Sequence, residues 1–366
     1  MVSRKLKAYV AWNHDNQLSS REAKGGYMAM DTQVSARERL RVGPLQRSYM
    51  VPAIVIALAF ASIWVGSAAS QPKAYITNEK SNDLSVIDTA TDKVAATVPV
   101  GERPRGIRLS PDGTRVYVAL GDEDRIAVVD TTSLQVIDKI ASGSDPETFD
   151  ISPDGKRLFV SNEDANTASV IDLQTRQIVA SVPVGIEPEG VTVSPDGRLV
   201  YVTGETSHTI SVIDADGLKV LATILVGSRP RESAFSPDSR KAFVTAEIGG
   251  TVSVIDVPGH KVVATVTVEG GDSKPKGVVV TPDGTKVLVA NGASHNVTVI
   301  DAQSHEVMTT IPVGRRPWGI ALTHDGKKAY VANGVSNDIS VIDTATQKVI
   351  ASVPVGKMPW GIAVSR

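Results

Sequence analysis

The chain has 366 residues, with 38 Lys and Arg against 40 Asp and Glu, a formal net charge of −2, 42% hydrophobic residues and no cysteine. The missing thiols exclude disulfides, thiolate metal sites, c-type haem attachment, a catalytic cysteine and a lipid anchor on cysteine. Residues 1–70 carry nine basic and four acidic side chains and the remainder 29 and 36, so the larger part is acidic and has no electrostatic reason to seek nucleic acid.

In chain order, the first feature is an export signal. Arg37, Arg39, Arg41 and Arg47 precede an apolar segment at 50–65, and the small residues GSAAS follow. That order describes a signal peptide, with cleavage expected before Ser70 or Gln71; the run is short for a membrane span, and a retained anchor is the alternative. Residues 1–36 have no clear periodicity, and translation beginning at Met28, Met30 or near Met50 fits the same reading. The expected division is an N-terminal extension over 1–70 and one domain over 71–366, located in the periplasm, with any membrane contact confined to the extension.

From residue 73 onward one phrase repeats. The Asp closing each "VID" run falls at Asp88, Asp130, Asp172, Asp214, Asp256, Asp301 and Asp343, spaced by 42 residues except for one step of 45. A landmark Pro recurs at Pro104, Pro146, Pro188, Pro230, Pro275, Pro317 and Pro359. Each unit holds four β-runs rich in Val, Ile and Tyr, separated by turn residues. A fixed period of this size with four strands per unit predicts an all-β, seven-bladed β-propeller of antiparallel strands.

Six blades are expected at 104–143, 146–185, 188–227, 230–271, 275–314 and 317–356. The seventh is shared between 73–101 and 359–365, which closes the ring and removes the open edges that would otherwise invite aggregation. The first run of each blade ends in a Ser/Thr-Pro-Asp-Gly turn, where Gly supplies the positive φ; Ser239 and His324 are substitutions expected to weaken two copies. The seven "VID" aspartates are expected to cap turns.

Several phrases are more specific than the period. YVAN and YVTG with ISVIDTAT and VPVGxxPxGI resemble the YVTN β-propeller repeats of exported proteins. SNEKSNDLSVIDTAT, GERPRGIRLSPDG, GSDPETFDISPDGKRLFVSNED, EIGGTVSVID and NGVSNDISVIDTATQKVIASVPVGKMPWGI resemble a narrower set, the β-propeller proteins associated with catabolism dependent on pyrroloquinoline quinone (PQQ). The resemblance covers 73–366. It implies a periplasmic protein working beside quinoprotein alcohol oxidation and c-type cytochromes, and it carries over no catalytic residue. The Trp-containing docking repeats and adjacent-Cys pair of the quinoprotein dehydrogenases do not occur, so the chain is not expected to hold the quinone, or any cofactor, as a redox enzyme would.

Candidate site residues are those where the repeats disagree. In propellers the loop entering the first strand opens on one face with the loop between the second and third strands, and function usually sits on such loops. After the landmark Pro the ring reads Arg105, Glu147, Glu189, Arg231, Lys276, Trp318, Trp360; before it, Arg103, Asp145, Glu187, Arg229, Lys274, Arg316, Met358. An acidic arc in blades two and three, basic groups elsewhere and two neighbouring tryptophans suit a mouth that orients a charged or aromatic ligand or a partner's loop. The competing reading is solvated charges that pair with little effect.

Glu79, Glu163, Glu205 and Glu247 share an aligned position, with Gly121, Gly292 and Gly334 in other blades; they suggest a hard-cation site only if they converge. The insertion within Glu269–Ser273 falls on the same face. His208 and His295 lie in second-to-third-strand loops, His260 and His305 on the opposite face, and none has metal-ligand spacing. Arg108 and Asp150 share a position in adjacent blades and predict an inter-blade ion pair.

The function expected is a monomeric, non-catalytic binding module with no metal or cofactor of its own. Its partner would be a quinoprotein dehydrogenase or cytochrome c, or a small ligand at the channel mouth. The alternatives are a metal-assisted lactonase or related hydrolase, which rests on fold analogy, and a cell-surface, S-layer-like repeat.

Overall fold

A computed structural model describes residues 71–268 and 272–366. The export signal, the apolar segment 50–65 and most of the EGGDS insertion lie outside the described residues.

Alternation of β-branched residues with turn signals produces 28 strands, β1–β28 in chain order, among the described residues. They form seven four-stranded antiparallel sheets. The innermost strands are β4 (Pro104–Leu109), β8 (Pro146–Ile151), β12 (Pro188–Val193), β16 (Pro230–Phe235), β20 (Pro275–Val280), β24 (Pro317–Leu322) and β28 (Pro359–Val364), so each landmark Pro opens the strand that lines the central channel. The last of these pairs with β1 (Lys73–Asn78), and the blade continues through β2 (Asp83–Asp88) and β3 (Lys93–Pro99). The seven blades and the ring-closing shared blade are as the repeat predicts.

The second and third strands of each blade are buried along their middle residues because neighbouring blades cover both faces, and seven apolar clusters each bridge two blades. The outermost strands are largely exposed and bury only their sixth residue, as sheet edges facing water do. Among the described residues no helix is long and apolar enough to cross a membrane.

Turn chemistry follows the sequence. Gly113, Gly155, Gly197, Gly284 and Gly326 take φ between +69° and +75° in the Ser/Thr-Pro-Asp-Gly turns, while Ser239 is held at +60°. Each "VID" aspartate accepts a backbone N–H two or three residues on, as Asp88 does from Thr91 at 2.9 Å and Asp172 from Thr175 at 2.7 Å. Those bonds hold both carboxyls below the usual aspartate range.

Two features of the inner strands set the channel. In the five blades with Gly at the second residue after the Pro, close approach of neighbouring inner strands leaves no room for a Cβ: at Gly190 or Gly319 it would strike the next blade's backbone carbonyl. In addition, the register slips between the Pro and the third residue after it, as at Pro230/Ser233. That bulge presents the residue after the Pro at the mouth.

Candidate functional site

The ring of residues flanking the landmark prolines is brought together on one face. Every residue before the Pro has a positive φ, from +48° at Asp145 to +60° at Arg229. In six blades its N–H is fixed by a side chain of the preceding second-to-third-strand loop: Arg103 by Asn82, Asp145 by Asp124, Glu187 by Asn166, Arg229 by His208, Arg316 by His295 and Met358 by Asn337, at 2.8–3.1 Å. This gives His208 and His295 a structural role, interchangeable with Asn, as loop acceptors.

The carbonyl of the residue after the Pro is tied in four places to a hydroxyl of the preceding blade. Thr77 donates to Arg105 (2.7 Å), Ser161 to Glu189 (2.6 Å), Thr203 to Arg231 (3.1 Å) and Thr245 to Lys276 (2.5 Å). The charged side chains therefore stand on a fixed frame.

Those side chains pair around the ring. Arg105 bonds Glu147, and Arg103 reaches Asp145 as well as Glu147 (2.7 Å). Arg231 is the hub of the other half: it bonds Glu189 and Glu205 and meets Glu247 at 2.5 Å. Lys276 closes on Glu247 at 2.8 Å, and Arg229 on Glu205 at 2.7 Å. The reading of these charges as solvated loop groups is corrected for Glu147, Lys276 and Glu189, which are 1%, 3% and 6% exposed. They pair, but inside the protein, where an unpaired member is costly.

Burial and mutual contact perturb the carboxyls in opposite directions. Burial would lower the Arg231 guanidinium, but Glu189, Glu205 and Glu247 overcome that and hold it above its ordinary value. Burial and the neighbouring Glu189 raise Glu205, whereas Glu189 itself is held down by Arg231 against the effect of burial. Glu247, against burial, is held down to about 2 by Arg231 and Lys276. Burial, then Arg231, lowers Lys276 to about 8.

The aligned glutamates do not converge on one point. Glu205 and Glu247 serve Arg231, and Glu79 stands 3.5 Å from Arg105. Asp145, Glu147 and Glu163 bring oxygens within 4.8 Å of one another, but Arg103 already supplies the positive charge at the first two.

The tryptophans complete the mouth. Trp318 and Trp360 lie 5.9 Å apart at 37°, both partly exposed. Lys276 Nζ sits 3.6 Å from the Trp318 ring centre and the Arg316 guanidinium 5.0 Å from it, close enough for cation–π attraction. The Trp360 indole N–H is buried without a protein acceptor. Arg315, Arg316, Lys274 and Lys357 are exposed around the same sector, whereas Glu187 bonds Thr206 on the far side.

Deeper in the channel, Arg108 Nε and Asp150 Oδ1 form the expected inter-blade pair at 3.1 Å. The other Asp150 oxygen accepts the Val193 N–H of blade three at 2.9 Å. Sequence reasoning missed Glu232, which extends from blade four to within 3.9 Å of Arg108 across the channel. The signal was present: Glu232 occupies the position that is Gly in five blades and Thr148 in a sixth.

A family model described as YNCE-like beta-propeller matches residues 53–235, 233–324 and 282–366. No curated protein gives a significant match. Among solved structures, Kuenenia stuttgartiensis hydrazine synthase is similar at 24% identity over 71% of this chain and 89% of that one, with a TM-score of 0.66. A functionally unknown protein from Desulfotomaculum acetoxidans DSM 771 is similar at 20% identity over 80% of this chain and 99% of that one, with a TM-score of 0.70. At such identities the likeness extends to the fold alone. The family match spans the whole propeller, and the chain belongs to the YNCE-like β-propeller family.

Proposed function

We propose that this protein is an exported, non-catalytic binding propeller whose mouth docks a periplasmic quinoprotein dehydrogenase or c-type cytochrome during PQQ-dependent alcohol oxidation. The observation that carries the binding role is the Trp318–Trp360 pair, partly exposed and flanked by Arg316 and Lys276. Trp and Arg are the residues that most often anchor protein interfaces, because each buries a large rigid surface beside a polar handle. An exposed basic sector of Lys274, Arg315, Arg316 and Lys357 favours an acidic docking face and fast, salt-sensitive association.

The choice of partner rests on the resemblance to PQQ-associated propellers. The lactonase alternative is disfavoured by the occupation of the mouth carboxylates, since Glu147, Glu189, Glu205 and Glu247 already neutralise arginine or lysine and are poor hard-cation ligands. Affinity capture from periplasmic extract of an alcohol-grown native host, with mass spectrometry and metal analysis of the same eluate, tests the assignment. A quinoprotein dehydrogenase or cytochrome c in the eluate supports it. Stoichiometric metal together with lactone hydrolysis would replace it with the enzyme reading.

A further inference from the structure

Below the charged ring the channel contains a separate cavity. A cavity of about 410 Å³ runs from the level of Arg108 and Glu232 to the turn at Pro195 on the opposite face. Its volume arises because the fifth residue of the inner strand is small in most blades: Thr192, Ala234, Val279, Ala321 and Ala363 occupy the level where blades one and two have Arg108 and Asp150. Apart from the paired hydroxyls of Thr192 and Ser233, the rest of the wall is apolar, with Phe235, Val280 and Leu322 on successive blades. Sites of this size with few polar groups suit small organic ligands.

The polar end of the cavity is unbalanced. Arg108 is committed: Nε donates to Asp150 at 3.1 Å and Nη1 to the Ile107 carbonyl at 3.0 Å. Asp150 is committed as well, accepting from Arg108 and from the Ile151 and Val193 N–H groups, both at 2.9 Å. Glu232 is left with the Val278 N–H and a long ion pair to Arg108 Nη2 at 3.9 Å, beyond hydrogen-bond reach. One carboxylate thus faces the chamber without a hydrogen-bonded cation, its nearest one being shared with Asp150.

We propose that this cavity binds a small aliphatic amine as its ammonium ion, with the charged head on Glu232 and the alkyl chain along Val279, Ala321 and Ala363. An ammonium ion neutralises the one uncompensated charge, and the tail replaces water against apolar walls. A carboxylate ligand would add to the excess negative charge, and an alcohol would leave it uncompensated. Glu232 is also poised to respond to pH: burial chiefly raises its carboxyl to about 7, helped by Glu189 and Asp150 and opposed by Arg108 and the Val278 N–H. Amine affinity should therefore strengthen from pH 6 to pH 8 as the carboxyl gives up its proton. The proposal is independent of whether the mouth is a docking face.

Calorimetric titration of the full chain with hexylamine hydrochloride, sodium hexanoate and hexanol tests it. The expected result is binding of hexylammonium alone, tightening with pH, and weakened at least about tenfold in Glu232→Gln. Ala321→Phe, which fills the chamber and keeps the charge, should abolish binding, with thermal unfolding of both variants reporting whether they fold. Equal binding of hexanoate or hexanol, unchanged hexylammonium affinity in a folded Glu232→Gln protein, or no heat with any of the three at millimolar concentration would overturn the proposal.

Discussion

Replacing Arg231 by Met removes the hub of the mouth network while keeping much of the side-chain volume. Arg231 is bonded to Glu189, Glu205 and Glu247, and its side chain is about one-tenth exposed. The variant leaves Glu205 with Arg229 and Glu247 with Lys276, so Glu189 becomes the buried carboxylate without a bonded cation. Breaking a buried pair by deleting one partner costs about 3–5 kcal/mol; with two of three carboxylates still served, we expect the lower end, about 3 kcal/mol at pH 7.5. The pH dependence carries the sign. Arg231 holds the Glu189 carboxyl down in the folded protein, so this contribution is present above the unfolded carboxyl value and lost as pH falls. The deficit should therefore shrink at pH 4. Urea unfolding of both proteins at the two pH values measures it, and adding Glu189→Gln to the Arg231→Met protein should recover much of the loss at pH 7.5. An equal deficit at both pH values, a deficit below about 1 kcal/mol, or no recovery from the second substitution would refute the reasoning.

Three further outcomes are expected. Asp150→Ala strands Arg108 and the Val193 N–H together, and should lower stability by about 2–4 kcal/mol in equilibrium unfolding. Glu232→Gln should change stability in a pH-dependent way. Burial raises the folded carboxyl from 4.5 to about 7, so the native protein's advantage is full below the lower value and lost as pH rises through the higher. Discounted for partial exposure, the comparison should move in favour of Gln by about 1–3 kcal/mol between pH 4.5 and pH 8, read from unfolding curves at each pH. Ser239→Gly relieves a left-handed Ser but loses the bond from the Asp196 N–H, and should raise stability by about 0.5 kcal/mol, visible as a small rise in Tm.

The fold was legible because its determinants are local and repeated. The 42-residue period counts the blades, the Ser/Thr-Pro-Asp-Gly and "VID" turns fix the hairpins, and the split of one repeat between the termini closes the ring. The inter-blade pair of Arg108 and Asp150 was legible too, because the same position in adjacent blades is adjacent in space. Contacts between unlike positions were not. Glu205 and Glu247 aligned with glycines and suggested a cation site, yet the cation they serve is Arg231, which belongs to a different alignment column. Glu232 reaches Arg108 across the ring, and a linear repeat carries no information on which opposite blades touch. Nor does composition reveal burial: the charges beside the landmark prolines read as loop charges, but the close approach of the inner strands at Gly106, Gly190 and Gly277 draws them inward.

Trp318→Ala combined with Trp360→Ala, compared with the unaltered protein in binding to the dehydrogenase or cytochrome recovered from the periplasm, tests the docking role most directly. Truncating central aromatic anchors costs about 2 kcal/mol or more each, so affinity should fall by at least about a hundredfold, while Tm changes little because both rings are partly exposed. Unchanged affinity of the folded double variant would contradict the assignment of the mouth as the docking surface.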